Sequence, residues 1–121
     1  MTHRDLKVWQ KSMDLVLYVY RLTRKLPDSE KYGLVSQTNR SAISIPSNIA
    51  EGAGRSTPGE YVRFLDIAKG SLSELETQLI IMKELYKCDT ESLVENELKI
   101  IRVMLTNLQK SILRNSKSKK S

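Results

Sequence analysis

The chain has 121 residues, of which 40% are hydrophobic and 28% are charged, so it fits one globular domain and is too apolar to be disordered. Its net charge is +6: residues 1–63 carry ten basic and six acidic side chains, residues 64–113 carry six and eight, and residues 114–121 carry four basic ones. Two interpretations stay open, a surface that binds polyanions or, for the tail alone, a lysine-rich end that keeps a small protein in solution.

Cysteine usage and the apolar runs narrow the class of protein further. Cys88 is the only cysteine, so an internal disulfide is excluded and an inert, partly buried thiol in a reducing compartment is expected. Residues 1–11 lack the apolar core of a signal peptide, and the longest apolar run, Leu79–Met82, is far too short to span a membrane. We therefore expect a cytoplasmic protein without a membrane segment.

The first predicted helix covers about Asp5–Lys25. Apolar residues recur there at spacings of three and four, as on one face of an α-helix. The buried face predicted from this spacing is Leu6, Trp9, Met13, Val16 and Tyr20. Pro27, Asp28 and Ser29 then predict a turn.

The second predicted helix covers about Lys31–Glu51 and carries two stripes. The apolar stripe is Leu34, Ala42, Ile45 and Ile49, and the polar stripe is Gln37, Arg40, Ser44, Asn48 and Glu51. Pro46 lies inside this helix, where it lacks one backbone hydrogen bond and crowds the carbonyl of Ala42, so we expect a kink there. Gly52 and Gly54 are expected to end the helix.

The third predicted helix has the clearest start. Thr57-Pro58-Gly59-Glu60 reads as a capping box with proline at the first helical position. A continuous apolar stripe follows, and it implies a helix of about 29 residues, roughly 43 Å long. Its members are Tyr61, Phe64, Leu65, Ala68, Leu72, Leu75, Leu79, Met82 and Tyr86.

A fourth helix is predicted after a cap at Asp89 or Thr90, and it is expected to fade after Leu113. Its predicted buried face is Leu93, Val94, Leu98, Ile101, Met104, Leu105, Leu108 and Ile112. Four amphipathic helices with short connections favour an all-α, antiparallel up-down-up-down four-helix bundle over residues 1–114, with the second helix kinked at Pro46. Residues 115–121 are expected to be a basic, flexible tail.

The inventory of reactive groups predicts no enzyme. His3 is the only histidine, so no common zinc ligand set can form within the chain. Ser44 and Ser71 have no histidine partner, and residues 52–54 are too short for a glycine-rich phosphate loop. We therefore expect no catalytic residue, no metal and no cofactor.

A polar seam is predicted between the second and third helices. An antiparallel hairpin with its loop near residues 54–56 would place Arg40 opposite Ser71 and one turn from Glu74, as a buried ion pair. Gly70 would let a neighbouring backbone approach closely. The predicted seam consists of Arg40, Ser44, Asn48, Glu51, Ser71 and Glu74. The alternative is that the same residues line a ligand pocket.

The segments that carry these features are also familiar. The stretches 6–11, 40–52, 54–55, 64–65 and 68–75, together with Gln78, resemble the bacterial four-helix bundle proteins encoded within intervening sequences of large-subunit ribosomal RNA genes. Members are often labelled ribosomal protein S-twenty-three-like. The string Ser-Ile-Pro-Ser-Asn-Ile-Ala-Glu-Gly, which ends at Gly52, is the most specific part, and the resemblance covers about residues 4–113.

The resemblance implies a bundle that assembles as a homopentameric ring and has no established catalytic activity. It also implies kinship with the accessory protein of diversity-generating retroelements, which binds reverse transcriptase and nucleic acid through a basic surface. Five copies of a chain with charge +6 would concentrate +30 on one particle. Such a particle should attract phosphates without reading sequence.

The predicted function is therefore sequence-tolerant binding of RNA or DNA by a non-enzymatic oligomer. The candidate contacts are Arg4, Lys7, Lys11, Arg21, Arg24, Lys25, Arg55, Arg63, Arg114, Lys117, Lys119 and Lys120. Tyr18 and Tyr32 are the aromatic residues left for stacking on bases, because the others fall on predicted core stripes. The alternative is an adapter ring that recruits a partner protein.

Overall fold

In the computed structural model the backbone is described for residues 2–120 and the side chains for residues 2–116, and this part of the chain contains helices and no strand. Its four α-helices are α1 (Lys7–Thr23), α2 (Ser36–Ala53), α3 (Pro58–Tyr86) and α4 (Leu98–Lys120). Each helix packs on the next, most extensively α2 on α3, and α4 contacts α1. The all-α prediction is confirmed, and the packing is that of a four-helix bundle.

The predicted buried face of α1 is wrong by about one residue of rotation. The side chains that α1 buries are Val8, Ser12, Leu15, Val19, Leu22 and Thr23, whereas Met13 is 37% exposed. Leu6, Trp9, Val16 and Tyr20 are only partly buried. Ser12 hides the true stripe in the sequence, because its hydroxyl is fully buried and donates to the Trp9 carbonyl at 2.7 Å.

The segment predicted as one second helix is divided near its start. A short 3-10 helix (Asp28–Glu30) leads into a π-helical segment (Lys31–Val35), and regular α-helix begins only at Ser36. The backbone of Gly33 is non-helical, with φ −109° and ψ −105°. Pro46, by contrast, is buried inside the continuous α2 helix.

Gly52 has a different role from the predicted one. It lies inside α2, and Gly54 is the residue that caps the helix, donating its amide to the Ala50 carbonyl. A Cβ atom at Gly52 would lie 2.9 Å from the Cβ of Phe64 and 3.1 Å from the carbonyl oxygen of Tyr61. Gly52 therefore lets α2 and α3 approach closely.

Gly70 was predicted to allow such an approach, and this prediction is wrong. It lies on the exposed side of α3, and a Cβ atom placed there would meet nothing within 4 Å.

The start and length of α3 are as predicted, although among the described hydrogen bonds only the Thr57 half of the predicted capping box is present. The helix has 29 residues and begins at Pro58, where the Thr57 hydroxyl accepts the amide of Glu60 at 3.2 Å. Its core residues are Leu65, Ala68, Leu72, Leu75, Leu79 and Met82. The helix ends at Lys87, whose φ of 59° stops the α-helical hydrogen bonding.

Helix α4 differs from the prediction at both ends. The Thr90 carbonyl accepts the amide of Val94 at 3.1 Å, but the Thr90 side chain does not cap the helix: it is buried, and its hydroxyl donates to the Leu79 carbonyl of α3 at 3.0 Å. A π-helical segment (Leu93–Glu97) precedes the regular helix. The helix then continues past Leu113 to Lys120, which places predicted tail residues on its last turns.

Candidate nucleic-acid interface and polar groove

Four of the predicted arginines come from different helices or loops to one end of the bundle. His3 and Leu6 line a cavity with Ala53 of α2 and Tyr61 of α3, and burial there raises the pKa of Tyr61. Gln109 of α4 donates to the start of α3. We call this end the tail end and define it by Arg4, Arg55, Arg63 and Arg114.

The tail-end arginines differ in how firmly they are held. Arg4, Arg63 and Arg114 are exposed. The guanidinium of Arg55 lies 4.7 Å from the centroid of the Phe64 ring and 3.0 Å from a carboxylate oxygen of Glu51. Because Glu51 already satisfies part of its charge, Arg55 has less to offer a phosphate than the other three.

Most of the remaining predicted contacts whose side chains are described lie away from this end. Arg21, Arg24 and Lys25 lie at and beyond the other end of α1, which is roughly 26 Å long. Lys7 is exposed at the start of α1, next to Leu6 of the tail end, whereas Lys11, one turn further along α1, is 3.9 Å from Glu97 of the π-helical segment before α4. The side chains of the predicted Lys117, Lys119 and Lys120 lie outside the described residues.

Three of the predicted seam residues form one hydrogen-bonded cluster between α2 and α3. The hydroxyl oxygens of Ser44 and Ser71 are 2.7 Å apart. The amide of Asn48 donates to the Ser44 hydroxyl at 2.9 Å and to its carbonyl at 2.8 Å. The register thus differs by about one turn from the prediction, which set Arg40, and not Ser44, opposite Ser71.

The predicted buried ion pair of the seam is wrong. Arg40 and Glu74 are both exposed, and within the described residues no carboxylate lies within 4.0 Å of the Arg40 guanidinium. Glu51 is exposed too, and it pairs with Arg55. Although the observed register brings Arg40 about level with Glu74, both charges stay in water.

Arg40 and Glu74 instead line opposite walls of an open groove of about 310 Å³ between α2 and α3. The groove is lined by Tyr32, Ser36, Gln37, Arg40, Ser41, Glu74 and Gln78. The Oε1 atom of Gln78 is buried and has no hydrogen-bond partner among the described residues. Tyr32, beside the non-helical Gly33, is 88% exposed.

A second polar cluster was not predicted from the sequence. Gln109 is only 7% exposed, and its amide donates to Asp66 at 2.7 Å and to the Val62 carbonyl at 3.1 Å. The ammonium of Lys69 donates to its Oε1 at 2.9 Å. The sequence indicates the burial of Gln109 only by its position, four residues after Leu105 on the apolar stripe of α4. Its geometry is that of a structural link between α3 and α4.

At the end of the bundle opposite the tail end, Tyr86 links the end of α3 to the segment before α2. The Tyr86 hydroxyl at the end of α3 donates to the carboxylate of Glu30, and this hydrogen bond raises the pKa of Tyr86. Lys31 follows Glu30 in the chain, and its ammonium nitrogen lies 5.5 Å from the ring centroid of Tyr32.

The family of the chain follows from its sequence. The sequence profile of the 23S rRNA-intervening sequence protein family matches residues 4–110. The chain belongs to this family. No curated protein sequence matches it. In the part of the chain that is described, no helix is long and apolar enough to cross a membrane, and no three His, Cys, Asp or Glu side chains are grouped to hold a metal ion.

Proposed function

We propose that this member of the 23S rRNA-intervening sequence protein family is a non-enzymatic, cytoplasmic oligomer that binds RNA or DNA through the tail end, without strong sequence preference. The observation that carries the proposal is that Arg4, Arg63 and Arg114, all exposed, belong to three parts of the chain at the same end of the bundle. The family name ties its members to 23S rRNA, which makes RNA the first polyanion to test.

Phosphate contacts of exposed arginines have a measurable signature. Each neutralised phosphate releases counterions, so the affinity falls linearly with salt on logarithmic axes, with a slope of about 0.7 to 0.9 per contact. A surface without base contacts should show this slope with little difference between sequences.

Two triple variants with the same charge loss test the proposal. Replacing Arg4, Arg63 and Arg114 with glutamine should weaken binding of structured RNA and reduce the salt slope by roughly 2 to 3. The matched control replaces Arg21, Arg24 and Lys25 with glutamine at the opposite end, and it should bind nearly as the wild type does. Equal losses in both variants, or no RNA shift at about 50 mM salt, would contradict the proposal.

Self-association into a pentameric ring is part of the same proposal. The outer surfaces of α1 and α4 carry large exposed apolar side chains, with Leu17 53% and Val103 57% exposed, and such residues are common at interfaces. Light scattering should give a particle of roughly 70 kDa, five times the 13.9 kDa of one chain. A 13.9 kDa particle would remove the ring and its +30 charge together.

The second candidate is an adapter that recruits a partner protein. The same exposed apolar side chains favour it, since a partner could cover them as well as a second copy could. An adapter predicts RNA binding that is weak and unaffected by the tail-end triple variant, whereas the first candidate predicts the opposite.

Two finer features of the fold also belong to the proposal. An antiparallel up-down-up-down arrangement is supported by contacts between α2 and α3, where Ser44 meets Ser71 and the later Gly52 meets the earlier Phe64. A local bend at Pro46 is supported by the missing amide of proline, which leaves the Ala42 carbonyl without its helical donor.

A further inference from the structure

The groove between α2 and α3 has hydrogen-bonding groups that the described residues leave unused. The Gln78 Oε1 atom is buried without a donor, although buried acceptors are nearly always paired. Glu74 adds a carboxylate and Arg40 adds a guanidinium on the facing wall. The groove therefore has two acceptors on the α3 side, the exposed Glu74 carboxylate and the Gln78 oxygen buried in its wall, and a forked set of donors on the α2 side.

This pattern selects a ligand with two neighbouring donors on one edge and two acceptors on the next. A carboxylate beside the groove disfavours a bare phosphate or sulfate, because like charges repel. Among the four RNA bases, only guanine has two adjacent donors on its pairing edge, N1–H and the 2-amino group. Its O6 and N7 atoms are the acceptors that arginine binds in a bidentate manner.

We propose that this groove binds a guanine base, either unpaired in a strand of RNA or in a free guanine nucleotide. The exposed Glu74 carboxylate accepts from N1–H and the 2-amino group, Gln78 adds a bond to the 2-amino group when its side chain turns toward the groove, and Arg40 donates to O6 and N7. The inference deepens the proposed nucleic-acid binding by adding one base-reading subsite, and for its RNA form it rests on that function.

The surroundings supply a stacking face and a place for a phosphate. Tyr32 lines the groove and is 88% exposed, and exposed aromatic rings are the usual platforms for unpaired bases. A neighbouring cavity of about 500 Å³ shares Ser36 and Arg40 with the groove and contains Lys31. A nucleotide whose base lies in the groove can thus reach a lysine with its phosphate.

The test compares single-stranded oligouridines that carry one central guanosine, adenosine or inosine, measured by fluorescence anisotropy at fixed salt. The guanosine strand should bind roughly tenfold more tightly than the adenosine strand, and inosine, which lacks the 2-amino group, should fall between them. Competition by GMP and by AMP forms the second arm. GMP that competes better than AMP supports a free-nucleotide ligand, and a guanosine preference confined to RNA supports a base within a strand.

Two single variants separate recognition from charge. Glu74→Gln should abolish the guanosine preference while the affinity for plain oligouridine stays the same or rises, because a negative charge is lost. Glu84→Gln removes the same charge from an exposed position of α3 outside the groove, and it should keep the preference. Both residues are exposed, so both variants should fold.

The failures are distinguishable. Equal binding of guanosine and adenosine strands, or equal loss of preference in both variants, overturns the guanine subsite while general RNA binding stands. If no RNA binds, the proposed function fails, and the guanine subsite is then tested by nucleotide binding alone. Tighter binding of GMP than of AMP supports the subsite, and equal or no binding of the two overturns it.

Discussion

The close approach at Gly52 gives the sharpest test of how α2 and α3 pack. In Gly52→Ala the new methyl group would lie 2.9 Å from the Phe64 Cβ and 3.1 Å from the Tyr61 carbonyl, whereas carbon atoms prefer about 3.5 to 4.0 Å. The two helices must move apart, and such overpacking costs about 1 to 3 kcal/mol. Alanine has a higher helix propensity than glycine, which is worth up to about 1 kcal/mol inside a helix. The gain is smaller at Gly52, because only Ala53 follows it in α2.

We therefore expect Gly52→Ala to lower the free energy of unfolding by about 1 to 2 kcal/mol, which is the overpacking cost less the propensity gain. Gly70→Ala is the matched control, because its methyl group meets nothing and the same propensity term should raise stability by about 0.5 to 1 kcal/mol. Urea denaturation at one fixed protein concentration measures both. If Gly52→Ala were as stabilising as Gly70→Ala, the close packing of α2 on α3 would be refuted.

Three further predictions concern single side chains. Thr90→Val keeps the shape but removes the buried bond to the Leu79 carbonyl, so it should cost about 1 kcal/mol in urea denaturation, and an unchanged midpoint would contradict it. The bond to Glu30 raises the pKa of Tyr86, so its contribution to stability is present below about pH 10 and is lost as the pH rises through the raised value. As the pH rises above that value, the melting temperature of Tyr86→Phe should therefore fall less than that of the wild type. Arg40→Ala should change the free energy of unfolding by at most about 0.5 kcal/mol, since the side chain is exposed and pairs with no carboxylate of the described residues, whereas a loss above about 2 kcal/mol would restore the buried-pair hypothesis.

The features that could be predicted from the sequence are those set by local patterns. The start of α3 follows from Thr57 and Pro58, because a hydroxyl cap and a proline at the first position act within one turn. The core stripe of α3 is long and uninterrupted, so its face is unambiguous. Leu98, Ile101 and Leu105 of α4 are also buried as predicted.

The buried face of α1 could not be predicted because two apolar stripes compete there. Val8, Leu15 and Val19 form one stripe, but Ser12 interrupts it, and nothing local reveals that the serine bonds to a carbonyl of its own helix. The alternative stripe through Met13 has no polar residue and looks better. Packing against the other helices, which is not a local property, decides between them.

The register of α2 on α3 could not be predicted either, and the candidate site depends on it. Counting from the loop gives a symmetric hairpin, but the helices meet with Gly52 against Phe64 and Ser44 against Ser71, which is about one turn from that register. That turn brings Ser44 to Ser71 and leaves Arg40 and Glu74 as the walls of a groove. The residues of the site were visible in the sequence, and their pairing was not.

Packing against α3 accounts for the most specific string of the chain, Ser44–Gly52, without any ligand. Ser44 and Asn48 bond within the seam, Ile45 and Ile49 are fully buried, and Gly52 provides the close approach. Because Ser44–Gly52 packs against α3, the candidate binding residues lie on either side of this string. One flank is the groove that begins with Arg40, and the other is the tail end with Arg55. The α2 wall of the proposed guanine groove therefore depends on a helix whose position the Ser44–Gly52 string holds fixed.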